Sequence, residues 1–558
     1  MLNERLQDLD TNDLFSLEDF DSNNTHNEQH VPTTPIITKT KTLYQERSLL
    51  SKIAYHILTY LKFIGPGILI STSFLDAGNF STAVTAASLH QYKFLHVIFL
   101  STITASLFQV LAAKLGIVTG KDIPTLCKLH FSKNVNIFLY LVSEVVIIAT
   151  DMAEVVGCAI GLSLLANVPL PVGVLLTIVD VLVILKYFNP ANGEMRVVRT
   201  FEFVVAIFVM LTVACFVIEL FQVEIPNKND VWKGFFLPSK DLVQDEGLFV
   251  SLSILGSVCM AGTILLQSNI VHARLRNYDI NLGNYTIKNK INNDNNKNYQ
   301  PVDVAETEEQ VEDMENDIDF ADYEPSYEAV SHAYKYTVME LLISIFTVAL
   351  FANAAIEIVA AASMTETDSS KVMNDADLYT IYDILSKNLS KTAGTVFALA
   401  LLFSGLCGGF TTTLTGQIIA DGFLDWSFPL NIRRSLSRAV AVMPCLILVF
   451  VSGKKGLSAA LNASQVILSL LLPFVTFPLI YFTCNKKIMS VKRKINKNSI
   501  TNSTLTNVNS QEDDDEYEYV DMSNGKIMTA FSIILWLLVS FLNIYLLFSF
   551  SVSSDTSL

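Results

Sequence analysis

Charge is scarce in this sequence. Only 16% of its 558 residues are Asp, Glu, Lys or Arg, while 51% are hydrophobic and the mean hydropathy is +0.42. A water-soluble chain carries about a quarter charged residues, so a fold immersed in water throughout is excluded. Cysteine is also sparse. The seven cysteines form no CxxC pair, and Cys158, Cys215, Cys259, Cys407 and Cys445 lie inside apolar runs. That pattern excludes a disulfide framework and a thiolate zinc site, and fits small buried hydrophobes. No basic face with interleaved aromatics is present, which argues against nucleic acid as a partner. The eight histidines are scattered, and neither HExxH nor GxSxG occurs, so no catalytic constellation marks an enzyme. The polar first fifty residues lack a charged n-region followed by an apolar h-region. No cleavable signal peptide is expected, and the first spanning segment is expected to direct membrane insertion.

Long apolar runs are abundant. Each is near the ~20 residues that cross a bilayer as a helix, and a lone segment in lipid must satisfy its own backbone hydrogen bonds. About eleven spans are expected, at roughly 60–89, 94–118, 135–165, 169–187, 199–221, 247–272, 336–363, 392–419, 434–452, 459–483 and 527–551. The reading is therefore an all-α polytopic membrane protein. Lys and Arg concentrate in the loops after the second, fourth, eighth and tenth spans, including Lys121, Lys128, Lys133, Arg196, Arg433, Arg434 and the run Lys486 to Lys497. Positively charged loops stay in the cytosol, which puts the N-terminus there and the short C-terminal tail on the opposite side.

The net charge of −16 belongs to the loops and not to the bundle, being concentrated in Glu306–Glu324 and Asp513–Asp521. Four regions follow. Residues 1–55 are expected to be a polar, disordered cytosolic tail. Residues 56–485 form the membrane core, with a disordered acidic cytosolic insert at 277–334. Residues 486–526 are expected to be a disordered cytosolic loop, and 527–558 the last helix with a short tail. A solvated linker is the simplest role for the two cytosolic segments. The alternatives are a signal read by trafficking or ubiquitin machinery, a phosphorylation site, or an acidic metal-sensing segment.

Polar groups inside the spans carry the functional signal, because each is costly in lipid. The first span contains Asp76-Ala77-Gly78-Asn79. Asp76 is ionisable and sits near the expected midplane. Gly78 is a weak helix residue, and Asn79, three positions after Asp76, shares its face. The sixth span contains Ser257, Met260 and Gly262. Gly78 and Gly262 are expected to break the two helices. A break frees backbone carbonyls, and a carboxylate, an amide and a thioether together make a mixed hard and soft donor set. Such a set suits Mn²⁺, Fe²⁺ or Cd²⁺ better than Ca²⁺ or Mg²⁺. Broken helices five apart in order point to an inverted repeat of two five-helix halves with a midplane site.

These motifs resemble the NRAMP family of divalent metal transporters. Gly65-Pro66-Gly67 followed by Asp76-Ala77-Gly78-Asn79 is similar to its first helix, and Thr150-Asp151-Met152-Ala153-Glu154 to its third. Ser404 through Gln417 resembles its signature after the eighth helix, and Ser464-Gln465-Val466 its tenth. The likeness covers residues 60 to about 485 and looks closest to the fungal branch.

The resemblance implies a leucine-transporter-like fold of 5+5 helices plus one, alternating access, and proton-coupled import of Mn²⁺ or Fe²⁺ towards the cytosol, with no cofactor. Asp76, Asn79 and Met260 match metal ligands, Ala77 and Ser257 match carbonyl donors, and Gln465 matches a side chain that joins the ion in some states. Asp76, Asp151 and Glu154 match the proton route. A vacuolar or other endomembrane location is expected, with the plasma membrane as the second choice. The departures are at Ala77 and Ala261, where the family has proline, at Gly262, where it has histidine, and at Leu406, where it has glutamine. They put proton coupling and metal preference in question and motivate an alternative, a non-transporting metal sensor or signalling scaffold. An amino acid carrier on the same fold is a third reading, disfavoured because Asp76 would repel the substrate carboxylate.

Overall fold

The computed structural model describes residues 66–177, 195–281, 323–365, 377–424, 430–494 and 517–556. The N-terminal tail and most of the 277–334 insert lie outside the described residues. Helix dominates. The order is α1 (Pro66–Ser73), α2 (Ala77–His90), α3 (Leu95–Thr119), α4 (Ile123–His130), α5 (Lys133–Ala166), α6 (Met195–Gln222), α7 (Lys228–Phe236), α8 (Asp245–Cys259), α9 (Ala261–Ile270), α10 (His272–Asn281), α11 (Tyr327–Ser344), α12 (Leu350–Thr365), α13 (Leu378–Ile384), α14 (Lys391–Phe423), α15 (Leu430–Cys484) and α16 (Lys526–Thr556). A π-helical turn at Ile345–Ala349 joins α11 to α12.

Among the described residues, eight helices are long and apolar enough to cross a membrane. Three of the eleven expected spans are not among these eight, each for a local reason. The first span is divided into α1 and α2, and neither piece crosses alone. The expected ninth and tenth spans are run together in α15, whose backbone turns at Gly453 (φ 58°, ψ −145°). The expected span at 169–187 lies only partly within the described residues.

Helix ends follow local chemistry. Asp122 accepts from Thr125 N at 2.9 Å and starts α4, with Pro124 in its first turn, where a missing N–H costs nothing. α3 closes on Gly120 in the left-handed region (φ 64°), the conformation glycine adopts without strain. Two apolar cores hold the bundle. One gathers Phe108, Leu111, Ile254, Leu265 and Leu468 from α3, α8, α9 and α15. The other gathers Phe80, Val156, Val359, Phe397 and Leu401 from α2, α5, α12 and α14.

The expected disordered loop at 486–526 needs correction at both ends. Ser490–Lys494 (β1) and Tyr517–Asp521 (β2) pair antiparallel, with Val491 opposite Val520. Basic β1 faces acidic β2, so the charge runs that signalled disorder are complementary across a ladder. The pair is tied to the bundle by Lys492 to Glu324 at 2.6 Å, by Lys114 to Asn524 at 2.9 Å, and by Arg493 over the Tyr327 ring at 5.0 Å. These contacts define one face of the protein, the hairpin face. α11 starts there and, through α12, runs to the opposite face. At that opposite face Lys93, just before α3, pairs with Asp241 at 2.5 Å.

Candidate metal-binding site

The first break is built from backbone outward. α1 stops at Ser73 and α2 restarts at Ala77, with Asp76 extended (φ −68°, ψ 151°) and its Oδ1 accepting from Gly78 N at 3.1 Å. Breaking a helix orphans carbonyls, and buried carbonyls must find donors. Phe74 O accepts from Asn79 Nδ2 at 2.5 Å and from Asn353 Nδ2 of α12 at 3.1 Å. Leu75 O accepts from Ser404 Oγ of α14. Three side chains therefore hold the unwound turn open, and two of them come from distant helices.

The second break falls at one residue. Met260 stands between α8 and α9 with φ 34° and ψ 84°, left-handed for a non-glycine residue, a conformation that side chains adopt at a cost. Its carbonyl accepts from Thr263 Oγ1 at 2.8 Å, and Gln109 Nε2 of α3 donates to that hydroxyl at 2.6 Å. Ser257 lies in the last turn of α8, where a carbonyl has no partner within its own helix.

Gln465 of α15 joins the two breaks. Its Nε2 donates to Asp76 Oδ2 at 3.4 Å. A Cβ at Gly78 would fall inside the Gln465 carboxamide, and a Cβ at Gly256, one turn before Met260, would fall on the Gln465 backbone carbonyl. Glycine at these two positions is what lets α2, α8 and α15 converge. Asp76, Asn79, Met260, Ser257 and Gln465 are all buried. The Oδ1 of Asn79 and the Oε1 of Gln465 accept no hydrogen bond.

The position of the breaks shifts. Gly78 and Gly262 are not themselves the breaks. Each stands in the first turn of the helix that restarts, α2 or α9, while the unwound residues are Phe74–Asp76 and Met260. Ala77 opens α2, so its carbonyl lies at the start of that helix's own hydrogen-bond ladder.

The acidic pair on α5 forms a neighbouring cluster. Asp151 and Glu154 are buried, and Thr412 Oγ1 of α14 donates to Glu154 Oε1 at 2.5 Å. Gly408 lets α14 approach, since a Cβ there would stand 2.7 Å from Glu154 Oε1. Position 262 faces the same seam. A Cβ on Gly262 would meet Ile147 and Val146 of α5 at 3.5 and 3.6 Å and Thr415 of α14 at 3.9 Å, ordinary contacts. Sequence reasoning does not single out Asn353, Thr412 or Gln109. Their only signal is polarity inside an apolar run.

Among the described residues no three His, Cys, Asp or Glu side chains cluster as a metal centre. The breaks instead offer a single carboxylate beside neutral amide, carbonyl and thioether groups. One negative charge against a dication makes a site from which the ion can leave, unlike the multi-carboxylate cage of a permanent metal.

Residues 67–507 match the family described as natural resistance-associated macrophage protein-like, Nramp. The chain belongs to the Nramp family. It is 43% identical over 543 residues to the manganese transporter SMF2 of Saccharomyces cerevisiae, covering 93% of this chain and 94% of that one. It is 41% identical over 504 residues to the iron transporter SMF3 of the same yeast, covering 89% and 97%. Among solved structures, a histidine-to-alanine mutant of the Eremococcus coleocola manganese transporter superposes with a TM-score of 0.63 at 26% identity, covering 87% of this chain and 86% of that chain. The fold is thus the leucine-transporter-like architecture of Nramp proteins, embedded in a membrane, and Nramp proteins are transporters and not enzymes.

Proposed function

We propose that this Nramp protein carries Mn²⁺ or Fe²⁺ through the membrane towards the cytosol by alternating access. Asp76, Asn79 and Met260 act as ligands, with the Ser257 carbonyl and Gln465 completing the shell. The observation that carries the reading is the convergence of both helix breaks on Gln465, which brackets Asp76 on one side and the turn before Met260 on the other. The names of the yeast relatives, one a manganese and one an iron transporter, support the cargo class without choosing between the two metals.

The chemistry follows from the donors. A dication that sheds water must regain ligand oxygens, and the Asn79 and Gln465 carbonyl oxygens without donors meet that need. The Met260 sulfur adds a soft contact that Ca²⁺ and Mg²⁺ do not use. The site lies between half-helices, so movement of α1 or α9 against the rest would open it towards one face at a time. Proton coupling on this reading runs from Asp76 to Asp151 and Glu154. With Gly262 in place of the family's histidine, Thr412 is the neutral partner of Glu154. The concentration of Lys and Arg makes the hairpin face cytosolic, and an endomembrane such as the vacuole is the compartment this reading favours.

The test is Mn²⁺ uptake by purified protein in liposomes at about pH 5 and about pH 7, with Asp76→Ala as control. Saturable flux that the variant loses supports transport. Binding of Mn²⁺ without flux in the wild type would replace it with the sensor reading.

A further inference from the structure

Beyond the metal site, two buried acids, Glu219 and Glu357, have both carboxyl oxygens outside any hydrogen bond, and Glu357 is on the helix whose Asn353 holds the first break. Glu357 lies on α12 and is fully buried, and neither of its carboxyl oxygens makes a hydrogen bond. It is one helical turn past Asn353, whose amide holds Phe74 O at the first break, so the two share a face of α12. The turn runs away from the hairpin face. Glu357 is therefore placed between the break and the opposite face, packed with α12 against α2 and α3. Its carboxyl faces the backbone N–H groups of Phe94 and Leu95, where α3 begins, close enough for both to act on it electrostatically but outside hydrogen-bonding geometry.

The surroundings offer no counter-charge. The titratable side chains described on the packed elements are Asp76 and His90 at the ends of α2, His96 and Lys114 on α3, Glu202, Cys215 and Glu219 on α6, and Tyr379, Tyr382 and Asp383 on α13; Lys114 is bonded to Asn524 at the hairpin face and Glu202 to Arg274. Among the described residues, none of them forms an ion pair or hydrogen bond with Glu357. The basic side chains nearest in sequence to the corner between α2 and α3, Lys93 and His90, both face Asp241, at 2.5 and 3.9 Å. A buried carboxylate left without a cation is strongly disfavoured. The start of a helix attracts an anion and repels a metal ion. The cation that fits here is a proton.

We infer that Glu357 is a proton-binding site on the outer side of the metal site, distinct from Asp76, Asp151 and Glu154, and that its protonation state governs how the corner between α2 and α3 docks on α12. When Glu357 is protonated, the carboxyl stands off the first turn of α3. When it loses the proton, the carboxylate closes onto the Phe94 and Leu95 N–H groups and draws the corner inward. The corner continues into α2, which begins at Asp76. Proton arrival at Glu357 is thereby linked to the outer half of the broken helix. A carboxyl of this kind gives α12 the titratable group that Gly262 cannot supply on α9.

This inference rests on the transport reading, so the test includes a readout that does not require flux. Infrared difference spectra of the purified full chain between about pH 5 and pH 8 report protonated carboxyl groups directly. The wild type should show a carbonyl stretch that E357Q lacks and D76A retains. E357Q is isosteric and keeps an oxygen for the α3 amides, and its Tm should stay within a few degrees of wild type. In liposomes, E357Q should lose at least half of the acid stimulation of Mn²⁺ flux and lower the number of protons carried per Mn²⁺. If the spectrum of E357Q matches the wild type, or E357Q keeps both the acid stimulation and the proton ratio, Glu357 is a plain helix cap and the inference falls. If wild type carries no Mn²⁺ at all, the transport reading fails, while the infrared band alone decides whether Glu357 binds the proton.

Discussion

The same substitution at two glycines should have opposite effects. Gly78 and Gly262 each occupy the first turn after a helix break, and in an open helix Gly→Ala is favourable by about 1 kcal/mol. At Gly262 the added methyl meets Ile147, Val146 and Thr415 at 3.5–3.9 Å. Gly262→Ala should therefore be neutral or slightly stabilising and leave Mn²⁺ affinity within about threefold of wild type, a span worth under about 1 kcal/mol. At Gly78 the methyl would occupy the space of the Gln465 carboxamide. The side chain must rotate away, and its hydrogen bond to Asp76 at 3.4 Å is lost. A bond to a charged group is worth about 1.5–3 kcal/mol, and the departing carbonyl oxygen is also a proposed ligand. Gly78→Ala should thus weaken Mn²⁺ binding by about 10- to 100-fold. Isothermal titration of purified protein with Mn²⁺ measures both variants. Equal affinities would refute the claim that Gln465 is held on Asp76 by the absence of a side chain at position 78.

Other consequences follow from the same geometry. Met260→Ala should reduce discrimination against Ca²⁺ more than it reduces Mn²⁺ flux, read by Ca²⁺ competition in liposome uptake; unchanged discrimination would remove the thioether argument. Ser404→Ala leaves the buried Leu75 carbonyl without its donor, at a cost of about 1–3 kcal/mol, and Asn353→Ala removes one of the two donors to Phe74 O; both should lower Tm and Mn²⁺ affinity together, Asn353→Ala less, whereas Thr413→Ala, further along α14 and bonded only within it, should not. Gly262→His should steepen the pH dependence of flux, because it places a group that titrates near neutrality on the seam holding Glu154; an unaltered pH profile would separate position 262 from the proton route. On the face opposite the hairpin, the Lys93 ammonium holds the Asp241 carboxyl below the usual carboxylate range, with the Ser239 hydroxyl assisting. A lowered carboxyl stabilises the fold above its unfolded value of about 3.9 and loses that effect as pH falls through its folded value. Asp241→Asn should therefore lower Tm equally at about pH 7 and pH 5, with the difference closing below about pH 4.

Much of the architecture is legible in the residues, and the limits have physical causes. The apolar runs announce helices because lipid leaves the backbone no alternative. Asp76 and Asn79 announce a site because polar groups there are costly. The place of each break is harder to read. Glycine marks a weak point in a helix, which points to Gly78 and Gly262 as the breaks. The backbone turns instead where outside donors, Asn353, Ser404 and Thr263 with Gln109 behind it, can satisfy the freed carbonyls. Except for Thr263, three residues past Met260, those partners are far away in the chain, and no local pattern reveals them. The left-handed Met260 has no local signature either, being neither glycine nor asparagine. The β1–β2 pair is hidden in the sequence because separated basic and acidic runs look like disordered polar segments until they are aligned. Glu357 stands in an otherwise apolar run, and its significance depends on the start of α3 lying over it.

The central claim is that one dication sits between the two helix breaks. Crystals soaked in Mn²⁺ and measured at the manganese absorption edge test it directly. The account predicts a single anomalous peak within bonding distance of an Asp76 carboxylate oxygen, the Asn79 carbonyl oxygen and the Met260 sulfur, absent in Asp76→Ala. A peak elsewhere in the bundle, or one that survives in Asp76→Ala, would contradict it.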